Sequence, residues 1–356
     1  MILSYLFPLT GLMIGFFTGF VFQRGRVCTN TAFRNILIIH NFEIIKIIVI
    51  TVLVAIIGYQ FLFSSKIFGL TFTSSPIQFS LIFLPIGSFI FGFGTVLAGG
   101  CAGGVCYRVG EGNSNALLAL IGYTFGIAIY GLLGPSIKLL IPTMNWTING
   151  NIPSLELFLP RIWWSILAFS LLTIIVLLNF HSDKSKNKST LPYLLDSWQP
   201  IKTGFVIGIL AVLARLTSAL VNRQFGFSTV DGIAEILGIV PNILGIRIGA
   251  SFNWAGMFII GLIVGALVSS INIHEFKFTS PTSTNTVRFL IGGFILGFSA
   301  VMASGCNVGH IFGGIPELGI SSLVAGFLML LGNFFGSYLF YSKFKMELPS
   351  STPIKN

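Results

Sequence analysis

The sequence predicts an all-α integral membrane protein, built as a pseudo-symmetric duplicated helical bundle with short re-entrant half-helices. Three observations predict it. Only 8% of the 356 residues are charged and 54% are hydrophobic. A soluble domain carries about 25% charged residues, so this chain lacks the polar surface to cover its core in water and takes the bilayer as its solvent. Charge-free runs recur along its length. A pattern of glycine and cysteine occurs twice.

The runs cover 2–22, 47–63, 67–107, 113–137, 162–180, 248–273 and 318–342. Each is long enough, or nearly so, to cross a hydrocarbon core that needs about 20 apolar residues. They are rich in Ile, Leu and Phe without strict alternation, which favours helices over barrel strands. Run 2–22 has no basic stretch before it and no small-residue cleavage pattern after it, so it reads as a retained span and not a removed signal. A polar stretch, HSDKSKNKST, follows the fifth run. The chain therefore divides into a first membrane repeat (1–180), a polar Lys-rich linker (181–200), a second membrane repeat (201–345) and a polar tail (346–356).

The formal net charge is +10. Lys184, Lys186, Lys188 and Lys202 place the linker in the cytoplasm by the positive-inside rule, and Lys343 and Lys345 put the tail on the same side. Arg24, Arg26, Arg108, Arg215 and Arg223 differ, because they lie at the ends of apolar segments beside Gly and Cys. They read either as snorkelling anchors or as anion attractors. Nucleic acid is not an expected partner, since the basic residues form no solvated patch interleaved with aromatics. Asp231, Glu111, Glu235 and Glu317 near the glycine-rich turns are expected to neutralise arginines, as intramembrane charges usually pair; proton coupling is the other reading.

The two halves echo each other. GFFTGFVFQRGRVCT at 15–29 aligns with GFVIGILAVLARLTS at 204–218, matching Arg26 with Arg215 and setting Cys28 on Thr217. GFGTVLAGGCAGG at 92–104 aligns with GFSAVMASGCNVG at 297–309, matching Gly100 with Gly305, Cys101 with Cys306 and Gly104 with Gly309. Duplicated halves with glycine-interrupted, shortened apolar segments at corresponding positions point to a transport site. Segments are expected to break at Cys101, at Cys306 and at Arg215, which cuts 203–214 too short to span. Glycine lets the chain turn at membrane depth and leaves N–H groups free for whatever fills the cavity.

The four cysteines are Cys28, Cys101, Cys106 and Cys306. Cys106 aligns with Ile311 and reads as a small buried hydrophobe. No CxxC pair is present and His40, His181, His274 and His310 are scattered, so neither a metal site nor a cofactor is indicated. Cys28, Cys101 and Cys306 stand where apolar segments meet Gly or Arg. A polarisable, weakly donating thiol suits a soft, sulfur-containing substrate better than a hard anion such as sulfate.

The chain resembles the YeeE/YedE family of inner-membrane proteins, in its TsuA-type thiosulfate-uptake branch. The resemblance rests on GFVFQRGRVCTNTAFRN at 19–35, GFGTVLAGGCAGGVCYRVGEG at 92–112, GILAVLARLTSALVNRQFGFSTVDG at 208–232 and GFSAVMASGCNVGHIFGGIPELG at 297–319. It implies a monomeric transporter of about nine transmembrane helices plus short helices, narrowed at its middle. It implies that Cys28, Cys101 and Cys306 hand thiosulfate inward, and that a cytoplasmic sulfur carrier resembling TusA receives it. An odd span number would set the two termini on opposite faces, with the N-terminus outside. Arg26, Arg108 and Arg215 are the candidate arginines for drawing in the anion, and neutral thiols would donate S–H hydrogen bonds to its terminal sulfur. The alternatives are another sulfur or selenium species as cargo, or a membrane thiol-redox enzyme, for which no close cysteine pair is visible in the sequence.

Overall fold

The computed structural model describes residues 2–38, 40–64, 72, 74–141, 144–148, 150–183, 199–238, 253–279 and 283–343. Most of the linker, the polar tail and the start of the run at 248 lie outside the described residues. The described chain is almost wholly helical. In order it forms α1 (Ile2–Arg24), α2 (Thr29–Ile38), α3 (Glu43–Ser64), α4 (Phe83–Leu97), α5 (Ala102–Gly110), α6 (Ser114–Leu140) and α7 (Arg161–Asp183). Then follow α8 (Pro200–Ala219), α9 (Thr229–Leu237), α10 (Trp254–Asn272), α11 (Ser283–Met302), a π-helical turn (Val308–Gly314) and α12 (Ile320–Ser337). Two short strands, β1 (Phe79–Ser80) and β2 (Asn145–Trp146), pair antiparallel at one end of the bundle.

Local chemistry sets the short helices. Asn113 caps α6 by accepting from Ala116 N–H, and Ser228 caps α9 by accepting from Asp231 N–H. Both place a side-chain acceptor on an otherwise orphaned amide. Pro200 opens α8, where its missing N–H costs nothing. Among the described residues, six stretches are long and apolar enough to cross a membrane: Glu43–Ser64, Phe83–Gly110, Ser114–Leu140, Pro200–Ala219, Trp254–Asn272 and Ile320–Tyr341. The protein is a multi-pass membrane protein.

The long helices pair by backbone contact. Gly15 and Gly19 of α1 face α10 so closely that an added Cβ would stand 2.1 Å from the Phe258 carbonyl oxygen and 1.9 Å from that of Leu262. Gly261 and Gly265 of α10 return the contact at 2.2 Å from Leu12 O and 1.9 Å from Phe16 O. In lipid no hydrophobic force drives helices together, so close dispersion contact between small residues does the work. The same reciprocal glycine packing joins α6 to α11 through Gly122, Gly126, Gly293 and Gly297. Beside these pairs, α3 lies on α8 and α4 on α12, while α4 also meets α11.

The chain breaks at Cys101, between α4 and α5, and at Cys306, between α11 and the π-helical turn. The expected third break is absent. Helix α8 runs through Arg215 to Ala219 without interruption. The Arg215 charge is met inside the protein by a carboxylate, so it does not force the helix to end.

Candidate functional site

The two cysteine breaks are built alike, atom by atom. Helix α4 ends with Ala98 N–H on Gly94 O (2.9 Å) and Gly99 N–H on Val96 O (3.3 Å); α11 ends with Ala303 N–H on Ser299 O (2.8 Å) and Ser304 N–H on Val301 O (3.0 Å). Gly99 and Ser304 then turn left-handed, at φ 69° and 59°. Serine in that region is strained, whereas glycine is not. Two residues later each cysteine starts a new helical segment. Cys101 Sγ accepts from Gly104 N–H at 3.2 Å, and Cys306 Sγ from Gly309 N–H at 3.5 Å. Each sulfur therefore caps the amide three residues on.

Cys28 joins the first of these. The chain leaves α1 through a tight turn in which Arg26 is left-handed, at φ 50°. Cys28 Sγ then lies 3.4 Å from Cys101 Sγ and accepts from Cys101 N–H at 3.4 Å. Gly104 makes room, since a Cβ there would come within 2.6 Å of Cys28 Sγ. A close thiol pair thus exists in space although none is adjacent in sequence.

Cys306 has a different neighbour. Thr229 Oγ1 donates to its sulfur at 3.0 Å and lies 3.1 Å from the Tyr123 hydroxyl. The alignment that set Cys28 on Thr217 does not describe this geometry. Thr217 sits in the last turns of α8, bonded back to Leu213 O at 2.8 Å. Thr229, at the start of α9, stands beside Cys306 as Cys28 and Thr29, at the start of α2, stand beside Cys101. Relative to the gapless alignment α8 runs six residues further and the turn before α9 (220–228) is five residues longer than that before α2 (25–28), so the register there is shifted by eleven residues. The halves are tied directly: Asn307 Nδ2 donates to Thr29 Oγ1 at 2.6 Å, and the same hydroxyl reaches Cys101. Cys28, Cys101, Cys106 and Cys306 are all buried, and none is in a disulfide.

The arginines divide by partner. Arg26 bonds Glu111 at 2.6 Å and also Glu275, with Gln23 bridging both carboxylates. Burial raises the Glu111 carboxyl above its ordinary range, against the pull of Arg26 and Arg108. Arg215 Nε bonds Glu317 at 2.9 Å, with both side chains 2% exposed. Arg223 bonds Asp231 at 2.5 Å. The expected neutralisation of arginines by Glu111, Glu317 and Asp231 is what these pairs are. Glu235 instead accepts from Gly256 N–H at 2.7 Å. Arg108 has no carboxylate in bonding contact among the described residues. It holds the Gly99 carbonyl and reaches Thr31 Oγ1 at 3.4 Å, beside Cys28. His310 plays the matching part at the other break, its Nε2 3.1 Å from Ala303 O and its Nδ1 3.2 Å from Ser322 Oγ. Thr29, Asn307, Thr229 and His310 were not singled out from sequence as site residues. Only their closeness to the cysteines marks them, and for Thr229 even that is lacking.

In this geometry three buried thiols, Cys28, Cys101 and Cys306, each accept from a backbone amide. The sequence profile of the family described as Sulphur transport matches residues 24–335. The chain belongs to this family, YeeE/YedE. Among its relatives, the thiosulfate transporter TsuA of Spirochaeta thermophila is 31% identical over 350 residues, covering 94% of this chain and 99% of that protein. The thiosulfate transporter TsuA of Escherichia coli is 28% identical over 357 residues, covering 98% and 99%. A probable transporter, YedE of Escherichia coli, is 34% identical over 83 residues, 23% of this chain and 21% of its own. For this member of the Sulphur transport family the similarity to TsuA is therefore end to end, and that to YedE is confined to one segment.

Proposed function

We propose that this protein is a transporter, not an enzyme, and that it carries thiosulfate inward across the bacterial inner membrane. Two relatives named as thiosulfate transporters over almost their whole length support the cargo. The path runs through Cys28, Cys101 and Cys306, with Arg108 supplying positive charge beside the first pair. Thiosulfate is a dianion with one soft terminal sulfur, and stripping its water costs tens of kcal/mol on the idealised solvation scale. Replacement contacts must come from the protein without holding too tightly, since conduction needs release.

The single observation that carries this reading is the doubled cap at Cys101 and Cys306. With a lone pair of each sulfur occupied by an N–H at 3.2 and 3.5 Å, the thiol is oriented and its proton is the group left to offer. Cys28, 3.4 Å from Cys101, passes the terminal sulfur to its neighbour without a large displacement of the anion. Helix starts at both breaks add N–H groups and partial positive charge for the oxygens. Arg26 and Arg215 act at the ends of the path by opening their ion pairs to the passing anion.

The architecture we infer is two inverted repeats, 1–180 and 201–345, totalling about nine transmembrane helices in a monomer. It is supported by the way helix contacts exchange: α1 on α10 corresponds to α8 on α3, and α6 on α11 to α12 on α4. A TusA-like carrier on the linker side would draw the product onward. The deciding experiment is uptake of labelled thiosulfate into a strain lacking other sulfur importers. Uptake that requires this protein, and that excess sulfate and selenite leave intact, is the expected result. Equal competition by those anions would sink the assignment.

A further inference from the structure

The buried arginines above are compensated by a carboxylate or by a backbone carbonyl; Arg34 is not. It is 1% exposed on α2, its Nη2 reaches Asn35 Oδ1 at a long 3.4 Å, and its Nε has no partner. No carboxylate pairs with it among the described residues. Its guanidinium lies 5.9 Å from the Tyr341 ring centroid, and the Tyr341 hydroxyl is buried and unbonded too. One turn back along α2, Asn30 Nδ2 is a third buried donor without an acceptor, while its Oδ1 accepts from Asn333 Nδ2 at 2.7 Å. Asn30 and Arg34 on α2 thus run beside Asn333, Ser337 and Tyr341 of the last helical segment, at four-residue spacing on both sides.

A seam with three buried donors, one of them charged, asks for an acceptor-rich anion, because an unmet buried donor costs free energy and an unmet charge costs more. The seam borders a groove of about 690 Å³ walled by Leu37, Ile38, Phe334, Phe335 and Tyr338, together with Ser337 and Tyr341 of the seam itself. Those walls are apolar and open to the lipid-facing surface, where Phe335 is 53% and Tyr338 62% exposed. We propose that the seam and groove bind an anionic phospholipid, the phosphate on Arg34, Tyr341 and Asn30 and an acyl chain along the groove. A small hydrated anion would satisfy the donors but gain nothing from the walls. The inference rests on the membrane fold and not on the identity of the transported anion.

Native mass spectrometry of the full chain in mild detergent tests it, with phosphatidylglycerol against phosphatidylcholine. Retention of phosphatidylglycerol should exceed that of phosphatidylcholine by about fivefold, the preference one arginine near an anionic headgroup confers. Arg34→Gln should remove that preference, and Tyr341→Phe, which deletes one oxygen and spares the packing, should lower it. The thermal midpoint should rise with phosphatidylglycerol in the parent and not in Tyr341→Phe. Equal retention of the two lipids, or an undiminished preference in Tyr341→Phe, would overturn the proposal. Release of the lipid by inorganic phosphate or thiosulfate at millimolar levels would also overturn it, and would make the seam a small-anion site.

Discussion

Asn307, next to Cys306, donates a 2.6 Å hydrogen bond to the hydroxyl of Thr29, next to Cys28. One bond therefore joins the two cysteine breaks. Both residues are buried, at 1% and 2% exposure, so neither has water as a substitute partner. Asn307→Ala should destabilise the protein by about 1–3 kcal/mol, the cost of an unmet buried hydroxyl. Uptake should fall more than the folded fraction does, because the spacing of the thiols is lost as well. A detergent-solubilised thermal melt beside a transport assay separates the two effects; a variant that melts lower yet transports at parental rate would show that the tie is only structural.

Removing thiols one at a time grades the path. Cys101→Ala and Cys306→Ala should each abolish uptake while the protein still folds, since Ala leaves little void. Cys28→Ala should be impaired, and Cys106→Ala nearly silent. Serine at 101 or 306 restores a donor without the softness of sulfur, so partial recovery is expected. Normal transport by all four alanine variants would remove the thiol path.

Gly104→Ala tests the thiol pair without touching a thiol. The new Cβ would stand 2.6 Å from Cys28 Sγ and 3.1 Å from Cys101 Sγ, and one of them must move. Overpacking of this kind costs about 1–3 kcal/mol. Transport should drop to the level of Cys28→Ala, while Gly309→Ala, whose Cβ meets only Phe227 O at 3.7 Å, should be tolerated.

The Arg215–Glu317 pair is buried and the Arg26 cluster is half-exposed, so their variants should differ. Glu317→Gln removes the carboxylate charge that faces a buried guanidinium and should cost about 3–5 kcal/mol. Arg215→Met combined with Glu317→Leu should recover most of that stability. In Arg26→Ala, where the side chains are 27%, 12% and 28% exposed, the loss should be about 0–1 kcal/mol per pair. Denaturation midpoints of the four proteins rank these effects. A Glu317→Gln no weaker than Arg26→Ala would mean that water reaches the buried pair.

The closeness of Cys28 and Cys101 makes covalent chemistry the sharpest alternative. A thiolate attacking the terminal sulfur of thiosulfate would form a Cys–S–S bond, break the sulfur–sulfur bond of the substrate and release sulfite. Intact-mass measurement after turnover should find all four cysteines unmodified. A +32 Da persulfide on Cys28, Cys101 or Cys306, formed as fast as uptake, would replace hydrogen-bond transfer by a relay.

Composition alone determined that this chain lives in a membrane and is helical, because an apolar chain has few ways to satisfy its backbone there. The matched glycine–cysteine motifs determined where α4 and α11 break, since the spacing between glycine, cysteine and the capped amide is local and survives in the sequence. Three things only the tertiary structure decided. Arg215 stays inside an unbroken helix because Glu317, 102 residues away, meets its charge. Thr229, not Thr217, stands at Cys306, because a longer α8 and a longer turn before α9 together move the register. The thiol pair of Cys28 and Cys101 arises from residues 73 apart in the chain. Each is a contact between distant segments, set by how helices pack, and local spacing carries no trace of such contacts.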